Sequence, residues 1–253
     1  MFSPEPRLYV VATPIGNLED ITLRALNVLR KVDFVICEDT RRTLKLLNHY
    51  GIKKPLVTYF APREKEKVVP IIKRLKKGEK AALVSDAGTP LVSDPGTILI
   101  KRCVGEEIPV TTVPGPSSLT AAIAISTLPK EQIHFIGFSP RKGLKNFLIS
   151  ISLLEGSLIF FERAERASKF LSIALEVLGN REIEIYRELT KLHEEILRGR
   201  IKDFLNWESK GELVLIIEGC RDRRGQLEII GPVNFFRAFG LRKNFLKKFT
   251  KNT

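Results

Sequence analysis

Alternation between short apolar runs and amphipathic segments is the feature that most constrains how this chain folds. Runs such as LYVVA at residues 8–12 predict buried strands, whereas ITLRALNVLRKV at residues 21–32 has apolar residues near helical spacing. The same exchange of strand and helix continues through the first half of the chain. It predicts a parallel or mixed sheet flanked by helices.

The second half of the chain has a different pattern. Its predicted strands are HFIGF, GSLIFFE, EIEIYREL and ELVLIIEG, and its clearest predicted helix is RASKFLSIALEVLG. Several of these strands alternate apolar with polar residues, as antiparallel strands with one covered face do. VPGPSS at residues 113–118 is the predicted hinge. We therefore expect an N-terminal α/β domain at residues 1–113, with a mainly parallel sheet, and a C-terminal α/β domain at residues 114–253, with a mixed or antiparallel sheet.

One predicted helix of the first half contains a proline. REKEKVVPIIKRLKKG places Pro70 inside a helical pattern that Gly78 ends. Because proline removes an intrahelical hydrogen bond, we expect the helix to start or kink at Pro70.

Polar loops follow four of the predicted strands in the first half. They read ATPIGNLEDIT, CEDTRRT, SDAGTPLVSDPG and VPGPSS. Ordinary turn formation explains any one of them, but it explains four less well. Loops at one edge of a parallel sheet gather around a cleft, where glycine lets the backbone approach a ligand. Few cations other than Arg41 and Arg42 lie in these loops, so they suit a cationic, amine-bearing ligand better than a phosphate.

Several common kinds of site are absent from the sequence. No GxGxxG, GxxxxGK[ST], HExxH or GxSxG motif occurs, and the three histidines are scattered. The three cysteines form no CxxC pair, which fits a reducing compartment, and no apolar run approaches the roughly 20 residues of a membrane-spanning helix. The N-terminus also lacks the layout of a signal peptide. We therefore expect a cytoplasmic protein without a metal or membrane partner.

The chain is strongly basic. Lys and Arg number 42 against 29 Asp and Glu, a formal net charge of +13. This charge favours a polyanionic partner such as nucleic acid, and lysines that only keep the surface soluble explain it equally well. The residues after Glu228 contain no acid and mix lysine and arginine with phenylalanine. They form either a nucleic-acid surface or an amphipathic helix with its phenylalanines packed inward.

Several motifs together carry a resemblance to a known family. They are LYVVATPIGNLEDITLRAL, EDTRRT, LVSDAGTPLVSDPG, VPGPSS, FIGFSPRK, RELTKLHEEILRG and GELVLIIEG. In order and spacing they resemble the tetrapyrrole (corrin/porphyrin) methylase superfamily, and within it the ribosomal RNA small-subunit methyltransferase I branch. The resemblance implies a homodimeric methyltransferase of two α/β domains with S-adenosylmethionine in the cleft between them. Its implied substrate is the 2′-oxygen of a cytidine ribose in small-subunit (16S) ribosomal RNA.

The resemblance also implies which residues bind the cofactor. In the first half they are Pro14, Gly16, Asp86, Ala87, Gly88, Pro90, Ser93, Asp94, Ser117 and Ser118. In the second half they are Phe161, Glu162 and Leu215. After Glu162 the chain reads Arg-Ala-Glu-Arg where the branch usually has Ser-Pro-His-Arg, so we assign no catalytic role to that stretch.

Two polar stretches, CEDTRRT and RELTKLHEE, supply candidates for the chemistry. A ribose hydroxyl is a poor nucleophile while protonated, so a base, or a cation beside the developing alkoxide, should help. The predicted catalytic residues are Glu188 as base or orienter and Lys191 as alkoxide or phosphate partner, with Arg187 and Asp39. Alternation along a strand would put Arg187 and Lys191 on one face and Glu188 on the other. Ordinary surface ion pairs are the alternative for any one of them.

Predicted contacts to RNA phosphates are Arg41, Arg42, Arg141 and Lys142. Two other functions stay open: methylation of a small tetrapyrrole or corrinoid precursor, and a non-catalytic RNA-binding role in ribosome assembly. The net positive charge disfavours the first, and the intact cofactor loops disfavour the second.

Overall fold

The computed structural model describes residues 5–60 and 64–231. The chain divides into two compact units, Met1–Ala121 and Ala122–Thr253. The predicted α/β class is confirmed, with a parallel sheet followed by a mixed one. The basic, phenylalanine-rich C-terminal segment lies outside the described residues. Within the described part of the chain, no helix is both long and apolar enough to span a membrane.

The first unit alternates strand and helix, as the sequence predicted. Its elements are β1 (Leu8–Val11), α1 (Leu23–Lys31), β2 (Phe34–Cys37), α2 (Thr40–His49), β3 (Leu56–Thr58), α3 (Glu64–Lys76), β4 (Ala81–Leu83), α4 (Thr97–Gly105), β5 (Val110–Val113) and α5 (Ser118–Ile125). The strand order is β3-β2-β4-β1-β5, and every pair is parallel.

Burial on both faces explains the continuous apolar runs of this sheet. In β2, Val35 and Cys37 pack into a core cluster with residues of α1 and α2. Phe34 and Ile36 point the other way, into a cluster with residues of α3 and α4. Successive strand side chains face opposite sides, so a strand covered on both faces must be apolar throughout.

Side chains from outside the helices fix where the helices begin. The Thr22 hydroxyl accepts from the amide of Ala25 (3.0 Å) at the start of α1, and the Asp39 carboxylate accepts from the amide of Arg41 (2.9 Å) at the start of α2. Helix α4 begins after Gly96, which offers no capping side chain. The buried carboxylate of Glu64 accepts from the Gly96 amide instead, at 3.0 Å.

Helix α3 contradicts one of the two outcomes expected at Pro70. The helix begins at Glu64 and continues through Pro70 to Lys76, so a helix start at the proline was the wrong prediction. Proline in a helix interior forfeits a hydrogen bond at a cost of about 3 kcal/mol. Burial of Ile71, Ile72 and Leu75 along the same helix offsets that loss.

The second unit carries a mixed sheet. Its elements are β6 (Ile133–Phe138), α6 (Leu144–Ile151), β7 (Ser157–Arg163), α7 (Ala164–Leu178), β8 (Glu182–Arg187), β9 (Glu195–Arg200), β10 (Glu212–Glu218) and α8 (Arg223–Ile230). The strand order is β6-β7-β10-β8-β9; β6 runs parallel to β7, and the other pairs are antiparallel. The sequence patterns had not predicted α6, α8 or β9.

Two glutamates of the central strands do not face solvent, which corrects the expectation that the polar positions there lie on an uncovered face. Glu162 and Glu184 are 1% and 2% exposed. Each buried carboxylate has hydrogen-bond partners: Ser139 donates to Glu162, and Thr127 and Tyr186 donate to Glu184 (2.6 and 2.5 Å). A buried carboxylate with several donors is tolerated, so alternation in these strands does not report exposure.

Candidate active site

We call the loop that follows β4, residues 84–96, the β4 loop. Strand β4 lies between β2 and β1, and β5 lies on the other side of β1. Because all these strands are parallel, the loops that follow them leave from the same edge of the sheet.

Backbone hydrogen bonds join the β4 loop to the loop after β1. The Thr13 amide donates to the Gly88 carbonyl (2.9 Å), and the Gly88 amide donates to the Thr13 carbonyl (3.0 Å). The Thr13 hydroxyl also donates to the carbonyl of Ser85 (3.2 Å). This pairing fixes the start of the predicted cofactor loop, in which Pro14 is buried and Gly16 is exposed.

The β4 loop also contacts the loops after β2 and β5. The Asp86 carboxylate accepts from the amide of Asp39 (3.1 Å) and lies 3.5 Å from Nε of Arg42. The Thr89 hydroxyl donates to the carbonyl of Pro116 (3.1 Å). All four polar loops of the first unit therefore meet at one edge of the sheet, which confirms that prediction.

The backbone of the β4 loop is strained. Leu91 and Ser93 have φ angles of 69° and 73°, in the left-handed region that such residues rarely adopt. Gly88 and Gly96 also have positive φ, at 80° and 136°. Strain of this kind costs about 1–3 kcal/mol per non-glycine residue and is concentrated at functional sites.

Gly88 is packed too closely for most other residues. A Cβ at this position would lie 3.2 Å from Cγ2 of Ile15. Its neighbours differ in exposure: Pro90 is buried, Ala87 is half-buried and Ser93 is exposed. The polar residues Asp86 and Thr89 of the β4 loop therefore lie close to the backbone of Gly88.

Other predicted cofactor residues of the first unit lie near the β4 loop or at the start of α5. Asp94, like Asp86, is half-buried within the β4 loop. Ser117 and Ser118 are half-buried at the N-terminus of α5, where the Ser117 carbonyl accepts from the Ala121 amide (2.9 Å).

Asp39 has a structural role in α2. Its carboxylate caps the helix and forms an ion pair with Arg41, whose Nη2 lies 2.6 Å away. The Arg41 side chain and amide lower the pKa of Asp39 to about 2. Asp39 is therefore ionised and a weak base at neutral pH.

Glu38 differs from its neighbour Asp39. Partial removal from water, and then the nearby charge of Asp86, raise the pKa of Glu38 above its usual range. Because a base is most effective when its pKa is near the working pH, Glu38 is the better proton acceptor of the two.

The structure brings Glu188 and Lys191 together in the second unit. Strand β8 ends at Arg187, and the left-handed φ angles of Glu188 (50°) and Thr190 (65°) turn the chain. Nζ of Lys191 lies 3.0 Å from Oε1 of Glu188 and 3.1 Å from Oε2 of Glu212. The prediction that Glu188 and Lys191 lie on opposite faces of a strand is wrong, because no strand continues there.

The ion pair keeps both members charged. Burial alone would raise the pKa of Glu188, but the Glu212 amide and the Lys191 cation outweigh it and lower the pKa. Burial alone would lower the pKa of Lys191, but Glu188 and Glu212 raise it. The arrangement holds a fixed cation, with Glu188 as its positioning partner rather than as a base.

Gly211 and Glu212 belong to this cluster, although the sequence reasoning did not select them. The Glu212 amide donates to Oε1 of Glu188 (2.9 Å). A Cβ on Gly211 would lie 2.5 Å from that oxygen, so only glycine leaves room for the Glu188 carboxylate. Arg187 contacts this region through the Lys210 carbonyl (3.3 Å) and pairs with Glu195 (2.9 Å).

The three cofactor residues predicted in the second unit differ from one another in burial. Phe161 is half-buried on β7, and Glu162 beside it is buried, with Arg166 Nη1 at 3.3 Å. Leu215 is fully buried in the core cluster that α7 covers, and its strand pairs with neighbours on both sides. This placement leaves the Leu215 side chain no access to a ligand.

The four predicted phosphate contacts fall into two classes. Arg41 and Arg42 are exposed but paired, with Asp39 and Asp86 respectively. Arg141 and Lys142 are exposed between β6 and α6, and among the residues the structure describes neither forms an ion pair.

The sequence matches the profile of a known family. The profile described as Tetrapyrrole (Corrin/Porphyrin) Methylases covers residues 7–205. The chain belongs to the tetrapyrrole methylase family. The resemblance inferred from the sequence motifs is therefore confirmed.

Relatives of this tetrapyrrole methylase share one name. A Thermotoga maritima protein named ribosomal RNA small subunit methyltransferase I is 46% identical over 218 residues, which cover 84% of this chain and 98% of the relative. A Hydrogenobaculum protein of the same name is 47% identical, covering 83% of this chain and 95% of the relative.

Solved structures agree on the tetrapyrrole methylase fold. Diphthine synthase has a TM-score of 0.67 at 14% identity, with 91% of this chain and 99% of that one covered. Uroporphyrin-III-C-methyltransferase from Thermus thermophilus has a TM-score of 0.62 at 17% identity, covering 94% and 100%. At these identities the likeness shows the fold alone.

The β4 loop of this tetrapyrrole methylase suits a positively charged ligand. It brings carbonyl, hydroxyl and carboxylate oxygens to the sheet edge beside a glycine. Within residues 5–60 and 64–231, no group of three or more His, Cys, Asp and Glu side chains could hold a metal ion.

Proposed function

We propose that this protein is an S-adenosylmethionine-dependent methyltransferase that methylates the 2′-oxygen of a cytidine ribose in small-subunit ribosomal RNA. Its relatives in Thermotoga maritima and Hydrogenobaculum carry a name for small-subunit ribosomal RNA methylation, and the chain spans nearly their whole length. A formal net charge of +13 suits an RNA substrate.

The observation that carries the proposal is the meeting of the four loops around Gly88. S-adenosylmethionine supplies a methyl group on a positively charged sulfur and also carries an amine. The oxygens of the β4 loop match these charges, and the missing side chain of Gly88 lets the loops that carry Ile15 and Pro116 pack against it. Residues 86–90, with Pro14, Gly16, Ser93, Asp94, Ser117 and Ser118, are the proposed donor site of the first unit.

Lys191 has the proposed catalytic role in the second unit. Its fixed cation stabilises negative charge that develops on the ribose oxygen. Glu188 and Glu212 hold Nζ in place, and Arg187 braces the same loop. Because the pKa of Glu188 is lowered, we assign it orientation of Lys191 rather than removal of the ribose proton.

The remaining proposed roles concern RNA binding, cofactor binding in the second unit and oligomeric state. Arg41, Arg42, Arg141 and Lys142 contact RNA phosphates, while Phe161 and Glu162 serve the cofactor in the second unit. The protein works as a homodimer in the cytoplasm, on ribosomal RNA or on the small ribosomal subunit.

A transfer assay tests this function. The protein is incubated with a radiolabelled methyl donor and, separately, small ribosomal subunits, naked ribosomal RNA and a tetrapyrrole precursor. We expect label in ribosomal RNA, at a position where the following phosphodiester resists alkali, because a 2′-O-methyl group blocks cleavage. Label only in the tetrapyrrole would show the alternative function on the same fold. Label in no substrate would favour a non-catalytic RNA-binding role.

A further inference from the structure

Phenylalanines lie exposed on one face of the second sheet. Phe138 is 53% exposed and Phe135 is 37% exposed, both on the edge strand β6. Their rings contact the half-buried ring of Phe161 edge-on, with centroids 5.0 Å (Phe135) and 5.7 Å (Phe138) away. We call these three side chains the aromatic strip.

A bulge in β6 creates the strip. Phe135 pairs with Ile159 and Phe138 pairs with Phe161, and the register shifts between Phe135 and Gly137. Without the shift, residues three apart would face opposite sides of the sheet. Ile136, which has no partner in the register, is the extra residue, and Gly137, with φ of 76°, allows the turn that brings Phe138 onto the face of Phe135.

The strip is on the face of β7 that points away from the core cluster with α6 and α7. Leu158 and Phe160, which alternate with Ile159 and Phe161 along β7, are buried in the core cluster with residues of α6 and α7. On the strip's face, Ile159 and Ile216 are buried, and the segment after α5 contacts β8, where Thr127 donates to Glu184. Exposed aromatic surface therefore remains at the β6 edge, and contiguous patches of this kind mark interaction sites.

Three exposed cations border the strip. Arg163 lies two residues after Phe161 on the same strand and therefore on the same face, and Arg141 and Lys142 follow β6. Across the described ranges, none of the three forms an ion pair. The nearby acid, Glu162, is buried and held by Ser139 and Arg166.

We propose that Phe135 and Phe138, the exposed rings of the aromatic strip, stack unpaired nucleotides of an RNA substrate while Arg141, Lys142 and Arg163 contact the flanking phosphates. This inference rests on the proposed RNA substrate and adds a binding surface to it. Aromatic faces beside a cationic border are the combination by which proteins bind single-stranded nucleic acid. A second copy of the chain on the same patch would bring like charges together, which disfavours self-association.

Fluorescence anisotropy with a short labelled single-stranded RNA of mixed sequence tests the inference on the full chain. Base–aromatic stacking predicts that Phe138→Ala weakens RNA binding about tenfold. Phe138→Leu keeps apolar area but loses the ring face, so it should also weaken binding, and Phe138→Trp should preserve it. Leu23→Ala, on the exposed face of α1 (80% exposed), is the matched control and should bind as the wild type does.

Two further measurements distinguish RNA from the two other possible occupants of the strip, S-adenosylmethionine and a second copy of the chain. The affinity for S-adenosylmethionine and the mass in solution should be the same in Phe138→Ala as in the wild type. The inference would be overturned if Phe138→Ala left the RNA affinity unchanged. It would also be overturned if Phe138→Ala lowered donor affinity or changed the oligomeric state instead of weakening RNA binding. Methyl transfer by the wild type is a separate measurement. If the wild type transfers methyl groups but Phe138→Ala does not affect RNA binding, only this inference fails. If the wild type does not transfer methyl groups, the proposed function fails.

Discussion

The β4 loop of the first unit and the β8–β9 loop of the second, residues 188–194, are both strained but are held in different ways. Leu91 and Ser93 have left-handed φ angles in the first, as do Glu188 and Thr190 in the second. Backbone and hydroxyl hydrogen bonds to neighbouring loops hold most of the β4 loop, and Asp86 adds one carboxylate–amide bond and one longer ion pair. Ion pairs and a carboxylate–amide bond hold the β8–β9 loop.

This difference indicates two tasks. A loop fixed through its backbone keeps its shape and leaves side chains available for a ligand, as a binding site requires. A loop fixed through charged side chains positions a cation, and preorganised charge is what a transition state requires. We therefore assign donor binding to the β4 loop and charge stabilisation to the β8–β9 loop.

The largest expected effect is on donor affinity. Gly88→Arg should abolish S-adenosylmethionine binding, because even a Cβ at this position would lie 3.2 Å from Ile15 and a larger side chain must displace the loop that carries Pro14 and Gly16. Isothermal titration calorimetry measures the loss. Gly51→Arg is the matched control: Gly51 has a similar positive φ (64°), but nothing lies within 4 Å of its Cβ position. Equal affinities for Gly88→Arg and wild type would remove donor binding from the β4 loop.

Loss of the fixed cation should affect turnover and leave donor binding intact. We expect Lys191→Ala to lower kcat about 100-fold, the usual cost of removing one stabilising group at a developing oxyanion. The affinity for S-adenosylmethionine should not change. Exposed Lys169 on α7 provides the control variant Lys169→Ala. Normal kcat in Lys191→Ala would make the ion pair structural only.

Gly211→Ala tests whether Glu188 positions Lys191. The added methyl group would lie 2.5 Å from Oε1 of Glu188 and must displace it, which frees Lys191 from one partner. A roughly tenfold fall in kcat is expected, smaller than for Lys191→Ala because the cation remains. Gly51→Ala controls for the strain of an alanine at positive φ. A fall in donor affinity with normal kcat would contradict the division between the loops.

The smallest effect concerns stability and its pH dependence. Glu188→Gln should lower the free energy of unfolding by about 1 kcal/mol at pH 7, the upper end for a partly exposed ion pair. Because folding lowers the pKa of Glu188, its contribution is present above the unfolded value of about 4.3 and disappears as pH falls through the lower folded value. The free energies of unfolding of both proteins, measured in urea, should therefore converge once the pH is below the lowered folded-state pKa of Glu188. A gap that persists at lower pH would assign the effect to packing.

Much of the first unit could be predicted from the sequence because its signals are local. Strand β2 is covered on both faces, so its run FVIC is apolar throughout and easily identified. The four polar loops follow such strands, and parallel topology then brings them to one edge. A helix start at Pro70 was the wrong prediction because burial of Ile71, Ile72 and Leu75 offsets the hydrogen bond that proline forfeits.

The site in the second unit was harder to predict because its geometry depends on distant residues. RELTKLHEE suggested a continued strand, but two left-handed residues end β8 at Arg187 and join Glu188 to Lys191. The close approach of Gly211 to Glu188 has no local signal. Leu215 was selected by resemblance alone, and the sheet buries it.

A structure of the protein with S-adenosylmethionine bound tests the central claim most directly. The distances between the donor and the backbone of residues 86–90 are the quantities to measure. We predict contacts within about 4 Å, the range of van der Waals packing, between the donor and the backbone beside Gly88. A donor bound elsewhere, with the β4 loop untouched, would contradict the assignment of the two loops.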